Sequence, residues 1–157
     1  MKRALVVGIS TLCAASFLFL SCSAETGPEL GKSRSNPVPS SAQQEIGNSK
    51  VFVQVMGGWQ EPSQVRISLA IANRKDEILP FDRMSFRLEL PSGFTVIKSF
   101  QCDGPVKGLD RFARITPGAT VTGTFCFKEY VGKSATPLLE VKTLSDGQSA
   151  YFRVQIG

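Results

Sequence analysis

From Val51 onward, apolar and polar residues alternate with a period of two along most of the chain. Val51, Val53 and Val55 form one such set. Val65, Ile67, Leu69 and Ile71 point one way, and Arg66, Ser68, Ala70 and Ala72 the other. Phe86, Leu88 and Leu90 alternate with Ser85, Arg87 and Glu89; Leu139 and Val141 are flanked by Glu140 and Lys142; Phe152, Val154 and Ile156 alternate with Tyr151, Arg153 and Gln155. Period-two runs of this kind are half-buried strands, each with one face on a core. Turn chemistry separates them. Pro91-Ser92-Gly93 and Asp146-Gly147 predict hairpins, Asn73 to Glu77 is a polar turn, and Pro117-Gly118 is another. No stretch shows a helical period.

About seven short strands in residues 50–157 make an all-β chain, and the spacing suggests an antiparallel β-sandwich of immunoglobulin type. In Val121 to Lys128, Val121, Phe125 and Phe127 share a face and Cys126 points the other way, with Thr124 and Lys128. A disulfide at Cys126 therefore lies outside the main apolar face and pins a loop onto a sheet. The single Trp59 does not stand between two cysteines, as an antibody-type core tryptophan does. With Met56 and Tyr130 it is a candidate contact for a sugar or a protein, against the plainer reading as packing.

The chain opens differently. Met1-Lys2-Arg3 is basic, Ala4 to Leu20 has no charge, and small residues follow. These are the parts of a secretory signal, and the apolar run is short for a spanning helix. The string Phe19-Leu20-Ser21-Cys22 looks like the lipobox of a bacterial lipoprotein, which implies cleavage before Cys22 and acyl chains on that cysteine. Cleavage after Ala24, giving a secreted soluble protein, and an uncleaved anchor are the alternatives. The expected organisation is a signal peptide at 1–21, a tether at 22–49 and the sandwich at 50–157. Serine, proline and glycine dominate the tether segment, with only Leu30, Val38 and Ile46 as large apolar residues. Such a composition is expected to stay disordered. Four cysteines are present; Cys13 leaves with the signal and Cys22 is taken by lipid, so Cys102 and Cys126 remain to pair in an oxidising compartment.

Ile115 to Phe127 reads Ile-Thr-Pro-Gly-Ala-Thr-Val-Thr-Gly-Thr-Phe-Cys-Phe. It resembles a recurring piece of the telokin-like, immunoglobulin-type domains of bacterial lipoproteins, the actinobacterial members above all. A strand ending in asparagine (Val65 to Asn73), an aromatic segment (Phe81 to Leu90) and a turn with Gly93 fit the same pattern. The resemblance implies a lipoprotein or secreted antigen-like domain and no activity.

Charge and chemistry narrow the field. The net charge is +5, falling to +3 once Lys2 and Arg3 leave with residues 1–21. That excess is mild, favours anionic lipid or cell-wall polymer weakly, and suits no nucleic-acid partner. Histidine is absent, which removes the commonest general base and metal ligand and every Ser–His or Cys–His pair. No Ser-x-x-Lys, calcium-loop or phosphate-loop pattern occurs. Asp76, Glu77, Asp82, Glu89, Asp103, Asp110, Glu129, Glu140 and Asp146 sit at strand ends or on polar faces, as solvated charge does. The expectation is a binding module held to the membrane through Cys22. It is not an enzyme, and needs no cofactor or metal. Its partner is an envelope protein or a cell-wall polymer, or it is an accessory subunit of an envelope complex.

Overall fold

A computed structural model describes residues 30–98, 102 and 113–157. Among the described residues eleven strands run in chain order: β1 (Val38–Pro39), β2 (Gln43–Glu45), β3 (Val51–Gln60), β4 (Val65–Asn73), β5 (Leu79–Pro80), β6 (Met84–Glu89), β7 (Thr95–Ile97), β8 (Arg114–Ile115), β9 (Thr120–Phe127), β10 (Leu138–Thr143) and β11 (Ser149–Arg153). Five of them form one sheet in the order β1-β11-β10-β6-β7, four form a second in the order β2-β3-β4-β9, and β5 pairs with β8. A 3-10 turn, Phe81–Arg83, follows β5 and buries Phe81. The predicted sandwich is therefore present, with its two sheets facing across one core.

The inward registers of the alternating strands supply that core. Val53, Val55, Ile67, Leu69 and Ile71 come from the four-stranded sheet, and Phe86, Leu88, Leu139, Val141 and Phe152 from the five-stranded one. Each buried side chain of this size contributes about 1.5–3 kcal/mol by leaving water. Both predicted hairpins form. Gly93 closes β6–β7 and Gly147 closes β10–β11, each at positive φ (83° and 69°), where glycine has no Cβ to clash. Asn73 ends β4 and is fully buried. Its Nδ2 donates to the carbonyls of Glu77 (2.8 Å) and Ile115 (2.9 Å), and its Oδ1 accepts from the Lys75 N–H (3.0 Å). One side chain thus holds the polar turn and ties it to β8.

The expectation of a disordered tether reaching Ser49 is corrected. Val38 and Ile46 are both fully buried. β1 pairs in parallel with β11, with Val38 opposite Phe152, and β2 pairs with β3. The Gly31 carbonyl accepts the Tyr151 N–H at 2.8 Å, so docking begins by residue 31 and the sandwich starts well before residue 50. The physical reason is that these strands are two and three residues long. Such strands show no period of their own; their partners define the sites they fill. Residues 1–29, including the whole predicted signal and Cys22, lie outside the described residues.

The two outer faces differ in chemistry. On the five-stranded sheet, Arg87, Glu140 and Tyr151 share one cross-strand row. Tyr151 Oη and Ser149 Oγ both donate to Glu140 Oε1. On the four-stranded sheet, Gln54, Ala70 and Thr122 form one row and Ser68 with Thr124 the next, their hydroxyls 3.1 Å apart. That second face is uncharged at its centre.

Candidate functional site

Cys102 and Cys126 are joined, with their Cα atoms 5.4 Å apart. Cys126 is opposite Arg66 on the outer side of β9, while Phe125 and Phe127 enter the core. The bond thus anchors residue 102 on the outer face, as the alternation in Val121 to Lys128 predicts. Trp59 stands across from Arg66 on β3 and is half-buried at the same end of that face. Arg66, on the polar register of its strand, is buried, and its Nη2 pairs with Glu61 Oε2 at 2.9 Å. Glu61 in turn accepts from Gln64 Nε2 at 2.6 Å. The predicted disulfide and Trp59 therefore share one end of one sheet. Lipid attachment at Cys22 lies outside the described residues.

A second site forms where β7 ends the five-stranded sheet. β7 runs antiparallel to β6, with Val96 opposite Leu88. The parity that turns Val96 inward also turns Lys98 inward. Its Nζ sits 4.0 Å from the ring centre of Phe81, 4.1 Å from Phe86 and 5.6 Å from Phe125. The rings pack on one another at centroid distances of 4.6 to 5.5 Å. Two influences oppose each other on this amine. Burial lowers the Lys98 pKa to about 7, because desolvation disfavours the ammonium. The ring faces favour the ammonium through their quadrupoles. Beside the amine lies a recess of about 250 Å³, walled by Met84, Phe86, Ile97 and Leu144 with Asp82 at its rim. Ile97 and Leu144 are 67% and 56% exposed, unusual for large apolar side chains so close together.

Sequence reading did not single out Lys98 or this edge. The signal was present: in Thr95-Val96-Ile97-Lys98 the lysine has the same parity as the core-facing Val96. A polar groove of about 440 Å³ occupies another loop cluster, with Lys50 and Lys75 beside Asp76, Glu77 and Asp146. Its mixed charges select no sign of ligand.

The chain matches no family model and no curated protein sequence. Among solved structures it is similar to the yjhA protein of Bacillus subtilis, at 11% identity and a TM-score of 0.54, over 75% of this chain and 99% of that one. It is also similar to MPT63, a secreted protein of Mycobacterium tuberculosis, at 14% identity and a TM-score of 0.50, over 74% of this chain and 97% of that one. At such identities the likeness establishes the fold, an immunoglobulin-like β-sandwich.

Proposed function

We propose that the chain is an exported, lipid-anchored binding module of the bacterial cell envelope, of the telokin-like kind that Ile115 to Phe127 resembles. The observation behind export is the Cys102–Cys126 bond, which belongs to an oxidising compartment, in a chain that opens with a basic, then apolar, then small-residue segment. The description of MPT63 as a secreted protein agrees with this reading. Cys22 is the attachment point, and acyl chains there make the anchor stable where one chain alone holds reversibly. Because the fold is docked by Gly31, the spacer from Cys22 spans at most about 30 Å fully extended. The domain then works close to the headgroups. Its task is binding, since the sequence offers no histidine base and its polar groups lie on sheet faces and edges.

The anchor is tested by metabolic labelling with palmitate. Wild-type protein takes up label and fractionates with membranes; Cys22→Ala takes up none and becomes soluble. Label that survives Cys22→Ala, or unlabelled wild-type protein released after cleavage at Ala24, overturns the anchor.

A further inference from the structure

The outward side of the five-stranded sheet carries its charges in cross-strand rows. Arg87, Glu140 and Tyr151 form one row, and Glu89, Leu138 and Arg153 the next. Lys142 stands on the other side of the first row, between Ser85 and Ser149. Both carboxylates are occupied locally. Glu89 pairs with Arg34 at 3.1 Å, and Glu140 accepts from the Ser149 and Tyr151 hydroxyls. Arg87, Lys142 and Arg153 form no ion pair among the described residues. With Arg34 they make four cations against two carboxylates, which leaves this face at +2. Arg87 and Arg153 are exposed and Lys142 is half-buried. Strand spacing and rise put their Cα atoms roughly 8–14 Å from one another on one sheet surface.

The route of the chain adds a direction. Gly31 docks on Tyr151 of β11, and Arg34, three residues on, reaches Glu89 two strands further in. Glu89 is outward, because its neighbours Phe86 and Leu88 keep the inward register. The segment from Cys22 therefore enters the fold on the side of the cationic face. An apolar side chain stands on the same face: Ile97, opposite Arg87 and 67% exposed.

We propose that this outer face lies against the anionic headgroups of a lipid bilayer, with Arg87, Lys142 and Arg153 as its contacts. A surface of cations with an apolar side chain among them fits a membrane interface, where basic groups meet headgroups and apolar groups reach the acyl boundary. A neutral sugar polymer has no charge for the cations to meet, and a soluble polyanion makes no use of Ile97. The opposite sheet and Trp59 then point away from the bilayer. The inference rests on the envelope reading above for the presence of lipid, and not on acylation.

The test uses the exported Cys22→Ala chain, which carries no acyl group, and vesicles of phosphatidylcholine with or without phosphatidylglycerol. Co-sedimentation is expected only with phosphatidylglycerol at about 50 mM salt, and is lost at about 500 mM, where screening is short-ranged. Each cation near an anionic surface is worth about fivefold, so Arg87→Gln with Arg153→Gln should weaken binding about 25-fold. Lys50→Gln with Arg74→Gln makes the same charge change at exposed positions beside β3 and β4 and should leave binding within about twofold. Circular dichroism melts confirm folding, and Arg153→Gln alone repeats the test, at about fivefold, if the double variant does not fold. Trp59, the only tryptophan, reports orientation: in vesicles holding the acylated wild type it should escape quenching by nitroxide-labelled headgroups. Equal losses in the two double variants, binding that salt does not weaken, quenched Trp59, or no binding to phosphatidylglycerol vesicles overturns the proposal. So does binding of soluble polyphosphate without binding of vesicles, which assigns the face to a soluble polyanion. A failed palmitate label with vesicle binding retained removes the anchor and leaves this face; the reverse removes the face alone.

Discussion

Lys98 shows how far surroundings decide what a residue does. On an exposed strand end it would be an ordinary solvated cation; one inward step in parity sets it over three phenylalanine rings. Its pKa in the folded protein is about 7, against 10.5 for a free lysine. Below about pH 7 the folded and unfolded chains both hold the proton, and the folded chain bears the full cost of a half-buried ammonium. Between about 7 and 10.5 the folded amine is neutral while the unfolded chain still binds a proton, so this group's contribution to stability improves as pH rises. The expected outcome is that Lys98→Met is the more stable protein at pH 7 and that its advantage narrows by pH 9. Urea melts of both proteins across that range check it, and parallel curves would show that ring contact outweighs desolvation. Trp59 makes the opposite case. Its type suggested a contact, and it stands half-buried in the cross-strand row that carries Arg66 and Cys126.

At the scale of elements, β3 shows what alternation reveals and what it hides. The valines at 51, 53 and 55 fix its inward face, but the register shifts between Val55 and Gly57. The bulge puts Gly58 inward and Gly57 outward. A Cβ on Gly58 would stand 2.8 Å from Ile156 Cδ1 and 2.9 Å from Val154 Cγ1, whereas one on Gly57 would meet nothing within 4 Å. Gly58→Ala is therefore expected to cost about 1–3 kcal/mol by overpacking, and Gly57→Ala close to nothing. Chemical denaturation of the two variants side by side decides it; equal losses would mean the bulge is not where the register places it. The long strands β3, β4, β6, β10 and β11 were legible because apolar and polar residues alternate along each, even in β4, where no residue is exposed. The short strands β1, β2, β5 and β8 were not, because pairing partners created them. The end of β11 was misread for a related reason. Val154 and Ile156 keep the alternation, yet the ladder stops at Arg153 and Ile156 bridges Gly58 on the other sheet. The recess beside β7 was illegible because Leu144 and Ile97 meet only through the order of strands, which no local pattern encodes.

For the whole molecule, the N-terminal segment that reads as spacer is part of the body. Val38 and Ile46 fill core positions, so a chain beginning at Lys50 leaves two apolar sites open. At about 1.5–3 kcal/mol each, their loss takes a large share of the roughly 5–15 kcal/mol that holds a domain of this size together. A chain beginning at Leu30 is expected to melt with the exported protein, and one beginning at Lys50 well below it; thermal unfolding followed by circular dichroism separates the two. Matching transitions would return residues 30–49 to the role of spacer. The parallel pairing of β1 with β11 has a mechanical consequence. If the chain is fixed to a membrane at its start and its partner is pulled away, tension enters the fold through Gly31 and along β1. The load then falls on the Gly31–Tyr151 and β1–β11 bonds together, in shear, and these bonds, with Val38 behind them, act as a force-bearing clamp before the sandwich can be drawn apart.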